Sequence, residues 1–288
     1  MTSPLVKAFF DPATYTVTYL VSDSATKSTA IIDPVLDFDP KSGRTTTKSA
    51  DEVISYVQAE GLKVEWILET HVHADHLTAA PYIKEKLGGK IAIGAKVPLV
   101  QETFKKLFNE NSQFATDGSQ FDALLSKGDV IKIGNIEGSV METPGHTPAC
   151  VTYVFGDAAF VGDTMFMPDF GTARCDFPGG DAETLYNSIH AIMDMPDETR
   201  IFTCHDYLAE GRDEYAWEST VGEQKAKNVH INKNISKDEF VKMRSEKDKT
   251  LNMPVLILQS VQVNMRAGHM PTPEANGISY LKIPVNGV

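Results

Sequence analysis

The stretch His71-Val72-His73-Ala74-Asp75-His76 constrains this chain more than any other. It follows an apolar, strand-like run at residues 66–68 and packs three imidazoles and a carboxylate into one turn. Such close spacing lets a single loop aim its donors at one or two metal ions, and nitrogen with oxygen suits zinc, iron or manganese. More donors follow in order: Pro144-Gly145-His146, then Gly162-Asp163, then Cys204-His205-Asp206. Any one of these alone reads as a cap or a satisfied polar group. Together they take His71, His73, His76, His146 and His205, five of the eight histidines, and make seven donors with Asp75 and Asp163.

The surrounding pattern is mixed α/β. Residues 16–21, 29–32 and 66–68 are β-branched or aromatic and read as strands. Ser49 with Glu52 has the form of a capping box opening a helix through Val53, Ile54 and Val57, stopped at Gly61. A second helix is expected over 79–87, ended by Gly88-Gly89. Gly156-Asp157 suits a tight hairpin between 151–155 and 158–161. Asp181 caps a helix through Leu185, Ile189 and Ile192, a strand follows at 200–203, and Ser236 with Glu239 opens another helix to about 247. The donors fall at strand ends, where rigid backbone meets open loop. The expected organisation is a catalytic core over 1–207 and a smaller, mostly helical extension over 208–288 that packs on it and shapes a pocket.

Composition narrows the partners. At 288 residues the chain can bury a sizeable core, and 42% hydrophobic with 23% charged residues is ordinary for a globular protein. Its 27 basic against 39 acidic residues give −12, which argues against nucleic acid or an anionic membrane as partner. No apolar run has the length of a leader or a membrane span. Three scattered cysteines, Cys150, Cys175 and Cys204, do not suggest a disulfide framework, so a reducing, cytoplasmic location is expected. Cys175 and Cys204 read as small buried hydrophobes, and His190, His230 and His269 as structural.

His-x-His-x-Asp-His, Pro-Gly-His, Gly-Asp and a late His in this order resemble the metallo-β-lactamase superfamily, over about residues 17–207. The resemblance implies an αββα sandwich with the metal at one edge. Two members fit the size: persulfide dioxygenase (sulfur dioxygenase), a mononuclear iron enzyme, and glyoxalase II, a two-metal thioester hydrolase. Ala74 and Leu77-Thr78, the run Pro148-Ala149-Cys150-Val151-Thr152, the Asp206-Tyr207 pair and Arg174-Cys175-Asp176-Phe177 look like the dioxygenase, and 171–180 like a bacterial branch of it. That resemblance assigns one Fe(II) per chain to His71, His146 and Asp163, with zinc as the alternative metal. It leaves His73, Asp75, His76 and His205 around a vacant second position as hydrogen-bond partners. It implies oxidation of glutathione persulfide by O2 to sulfite and glutathione, a sulfide-detoxifying activity, and admits a homodimer. Arg174, Tyr207, Lys225 and Arg266 are the expected substrate contacts, with an Arg174–Asp176 ion pair as the plain reading of Arg174.

Overall fold

The computed structural model describes residues 3–287. Two six-stranded sheets lie face to face. The first has the order Leu5–Asp11, Thr16–Ser22, Ser28–Ile32, Lys63–Leu68, Lys90–Gly94 and Ala123–Leu125. The second runs Val130–Ile133, Ile136–Glu142, Val151–Phe155, Ala158–Phe160, Arg200–Phe202 and Glu218–Thr220. A three-stranded sheet of Arg44–Thr46, Val35–Asp39 and Leu77–Thr78 stands beside the metal loop.

Period-2 alternation builds the layers. Val17, Tyr19 and Val21 face the second sheet and meet Tyr153, Phe155 and Phe160, while Leu20 and Ile31 point the other way. On that outer face they pack under helices Lys48–Ala59, Ala80–Leu87, Val97–Leu107 and Ile257–Asn264. The outer face of the second sheet, with Ala159, Val161 and Ile201, is covered by helices Ala182–Met193, Val221–Lys227 and Lys237–Asp248. This is the αββα sandwich of the metallo-β-lactamase fold. No described helix is long and apolar enough to cross a membrane.

Most local expectations hold. Asp181 accepts from Thr184 N–H, Ser236 with Glu239 forms a reciprocal capping box, and 151–155 pairs with 158–160 as a hairpin. The Ser49–Glu52 box does not form. The helix begins at Lys48, and Ser49 instead gives its N–H and hydroxyl to Asp37 at 3.0 and 2.8 Å. A tertiary carboxylate from the neighbouring strand has displaced the local cap. Beyond residue 207 the chain rejoins both layers: Glu218–Thr220 extends the second sheet, and Ile257 and Val261 enter the first helical layer. All three cysteines are buried and free.

Candidate metal centre

The metal donors converge where strands end. Lys63–Leu68 delivers the His71–His76 loop, Ala158–Phe160 leads through a single turn to Asp163, and Arg200–Phe202 leads to His205. His146 lies on a turn whose Gly145 has φ +139°. A Cβ there would stand 2.4 Å from the Leu185 backbone, so only glycine lets the loop press on that helix.

His71, His146 and Asp163 place one donor atom each within 4.8 Å of one another. Asp163 Oδ2 is 3.7 Å from His71 Nε2 and 3.6 Å from His146 Nε2. Asp163 Oδ1 is 3.4 Å from His205 Nε2, which is itself 3.3 Å from Asp75 Oδ2. His76 joins this side through its contact with Asp75 at 3.2 Å. Asp163 is therefore one of three donors on one side and the link to His205 and Asp75 on the other, where Asp75 and His76 also group with His73.

The other ring nitrogens are occupied, and that aims the free ones. His146 Nδ1–H donates to the Arg174 carbonyl at 2.8 Å. Thr70 gives its hydroxyl proton to Asp33, so its oxygen accepts from His71 Nδ1–H at 3.0 Å. His205 Nδ1 lies 3.3 Å from the Tyr15 carbonyl. Such partners select the tautomer that leaves Nε2 as a lone-pair donor. Nε2 of His71, His76 and His205, Nδ1 of His73 and Oδ1 of Asp163 are buried with no hydrogen-bond partner. Orphaned polar atoms are rare in folded interiors, and a cluster of lone pairs facing one another fits a divalent metal.

Charge is arranged to match. Burial, reinforced by neighbouring His73 and His146, holds His71 well below its ordinary pKa and keeps it the neutral imidazole a ligand must be. Burial would push Asp75 up, but His205 and His76 outweigh it and keep the carboxylate ionised. His73 behaves otherwise. Burial opposes its charging, yet Asp33 and Glu69 raise its pKa well above the usual value. Its Nε2 is 2.9 Å from Asp33 Oδ1 and 3.2 Å from Glu69 Oε2.

The loop is also fastened from the far end of the sequence. Asn264 Nδ2–H donates to the His73 and His76 carbonyls at 2.9 and 2.8 Å, and Asn264 Oδ1 accepts from Thr78 N–H at 2.9 Å.

A cavity of about 610 Å³ opens on the centre, reaching Asp75, His146 and Asp163. Phe166, Phe170 and Phe177 form an apolar wall, and Arg174, Arg244 and Lys247 bring positive charge. Of the expected substrate contacts, Tyr207 lines this cavity, its ring parallel to that of His205. Arg174 lines it too, but Asp176 holds the guanidinium at 2.6 Å, as its plain reading had it. Lys225 does not line it and pairs with Asp197 at 2.6 Å. Arg266 also lies away from it, bound to Glu110 at 2.8 Å and stacked over Phe114.

The sequence reading missed Asp33, Glu69, Asn264 and Lys247. Asp33 carried a usable signal, an acid straight after a buried strand, the same context as Asp163. Lys247 has no carboxylate within salt-bridge distance among the described residues, and its Nζ sits 2.9 Å from His230 Nε2. His230 Nδ1 accepts Thr172 N–H at 3.0 Å; burial, then Lys247 and Arg244, push its pKa from 6.5 to about 4. As pH falls below 6.5 the unfolded chain therefore takes up this proton before the folded one does. The stability His230 contributes is present above that pH and lost progressively towards about 4. Melting curves across this window should fall more steeply for the native protein than for His230→Gln, and parallel slopes would refute the assignment.

The family model described as the metallo-beta-lactamase superfamily matches residues 11–205. The chain belongs to that superfamily. It is 56% identical to a probable metallo-hydrolase of Burkholderia pseudomallei over 98% of this chain and 99% of that protein. It is also 56% identical to a beta-lactamase hydrolase-like protein of Agrobacterium fabrum, of which it spans only 65%. A Dictyostelium discoideum protein named glyoxylase B2 shares 50% identity over 93% of this chain and 92% of that one. The human mitochondrial persulfide dioxygenase ETHE1 shares 31%, over 94% and 91%. The crystal structure of ETHE1 from Myxococcus xanthus superposes with a TM-score of 0.73 at 28% identity, covering 92% of this chain and all of that one.

Proposed function

We propose that the protein is a mononuclear Fe(II) dioxygenase that oxidises glutathione persulfide to sulfite and glutathione. The observation that carries this reading is the grouping of donors: His71, His146 and Asp163 place one atom each within 4.8 Å of one another, and His73 is not of that group. Two imidazoles and one carboxylate are the donor set suited to Fe(II) with open positions for substrate and O2. Iron, when bound, supplies the redox chemistry that lets dioxygen react with a sulfur anion. Net, glutathione persulfide, O2 and water give glutathione and sulfite: the S–S bond breaks, the outer sulfur is oxidised, and the glutathione sulfur leaves as thiol.

The chain's own residues bind and shield. Phe166, Phe170 and Phe177 keep bulk water from the reacting sulfur. Tyr207 is 37% exposed at the cavity, where desolvation of its hydroxyl, then Asp75 and Asp163, raise its pKa and keep it protonated. It can therefore donate a hydrogen bond to a sulfur anion near His205. Lys247, free of carboxylates, is the group left to meet a carboxylate of the glutathione moiety. A charged hydrogen bond of about 1.5–3 kcal/mol is worth roughly ten- to a hundredfold in binding. Lys247→Ala should therefore raise KM by that factor with little change in kcat, and an unaltered KM would remove Lys247 from the substrate site.

A second reading, a two-metal hydrolase of glutathione thioesters, is favoured by Asp75, His76 and His205, whose grouping with Asp163 also leaves unpartnered nitrogens. One experiment separates the two. The dioxygenase carries one iron per chain and consumes O2 with glutathione persulfide. A protein that holds two metals, hydrolyses S-lactoylglutathione and takes up no O2 is the hydrolase.

A further inference from the structure

Behind the wall of the large cavity lies a second, much smaller one. The i, i+4 pairs Val100 with Phe104 and Ile257 with Val261 each line one face of their helix, and these faces meet Val72 of the metal loop. Side chains branched at Cβ are stiff and do not reach across to close the gap. A cavity of about 20 Å³ is left, room for one molecule the size of water or dioxygen. Ala74, His146 and Phe177 line both cavities, so a single layer of side chains separates the small one from the large one. Pro178 is the one exposed residue of the small cavity's lining.

Its chemistry suits an apolar guest. A buried water needs several polar partners, and the two polar side chains of this lining are engaged elsewhere. His146 gives its Nδ1–H to the Arg174 carbonyl and turns Nε2 toward Asp163. The Thr147 hydroxyl pairs with Cys150 Sγ at 3.1 Å and accepts Ala149 N–H at 3.4 Å. A small cavity walled by Val, Ile, Phe and Ala, with no side-chain donor or acceptor to spare, favours an apolar molecule over water.

We propose that this cavity is a holding site for dioxygen, one side chain away from the metal that His71, His146 and Asp163 hold. It rests on the dioxygenase reading above, which needs O2 at that metal while the persulfide occupies the large cavity. A gas molecule kept behind His146 and Phe177 is close to the metal, and entry past Pro178 does not share the substrate's way in.

Crystals of the native protein under krypton pressure test the site without turnover, because krypton is close to dioxygen in size and is readily located by its X-ray scattering. One krypton atom should lie between Val100 and Val261. Val100→Ala should raise its occupancy at the same pressure, and Val100→Leu should exclude it. Kinetics test the use. At saturating persulfide, Val100→Leu should raise KM for O2 several-fold, while kcat at saturating O2 and KM for the persulfide stay native. Val261→Leu, on the other helix, should do the same; melting curves report which variants fold, and either one alone decides. A native cavity that takes no krypton overturns the site. A folded variant that excludes krypton and keeps the native KM for O2 overturns its role. A native protein that takes up no O2 with glutathione persulfide overturns the dioxygenase reading, and the oxygen role with it, even where krypton binds.

Discussion

Replacing His146 by alanine should leave the purified protein almost free of metal and without measurable oxygen uptake on glutathione persulfide. The ring is fixed by its Nδ1–H bond to the Arg174 carbonyl and presents Nε2 to Asp163. Removing a hydrogen-bond partner of a ligand already costs about ten- to a hundredfold in affinity or activity. Losing the ligand itself from a three-donor group should exceed the upper end of that range. Metal analysis and an oxygen electrode check it together. A His146→Ala protein that keeps its iron would show that the metal sits elsewhere, with Asp75, His76 and His205.

Arg244→Ala should be the most damaging single change outside the metal ligands. Arg244 is 1% exposed; its Nε donates to Asp248 Oδ1 at 2.8 Å, its Nη2 stands 2.5 Å from that same oxygen as an ion pair, and its Nη1 donates to the Thr172 carbonyl at 3.1 Å. Asp248 in turn accepts Cys175 N–H at 2.9 Å. Truncation strands a buried carboxylate, and breaking a buried pair from one side costs about 3–5 kcal/mol. For a chain of this size that lowers Tm by roughly 6–15 °C. Pairing Arg244→Met with Asp248→Leu should recover most of the loss, because it is the unpaired charge that destabilises. A Tm within about 2 °C of native for Arg244→Ala would refute this account. Residues 172–175 also carry the carbonyl that orients His146, so the variant should hold metal less tightly as well.

The metal donors were legible because they are dense, ordered and rare: His71, His73, Asp75 and His76 in one loop, then His146, Asp163 and His205 at later strand ends. The layered sheets were legible for a similar reason, since runs such as Thr16–Ser22 and Ser28–Ile32 carry strong β-branched signals. Elements whose reason lies elsewhere in the chain stayed hidden. The start of the Lys48–Ala59 helix is set by Asp37 and not by its own Ser49. Lys225 and Lys247 are both lysines near helix ends, and only packing distinguishes one beside Asp197 from one facing a cavity. Glu69 read as one polar residue closing a strand, because the carboxylate it shares His73 with is 36 positions upstream.

The bonds from Asn264 to the metal loop bear on how the protein is made. They join positions 186 to 191 residues apart. During synthesis His71, His73, Asp75 and His76 leave the ribosome early, yet their loop stays without these three hydrogen bonds until Asn264 has emerged and its helix has docked. A ribosome-bound fragment ending before that helix holds every strand of both sheets and all seven donors, yet lacks the bonds that fasten their loop. Completion of the metal loop is thereby tied to the last stretch of translation.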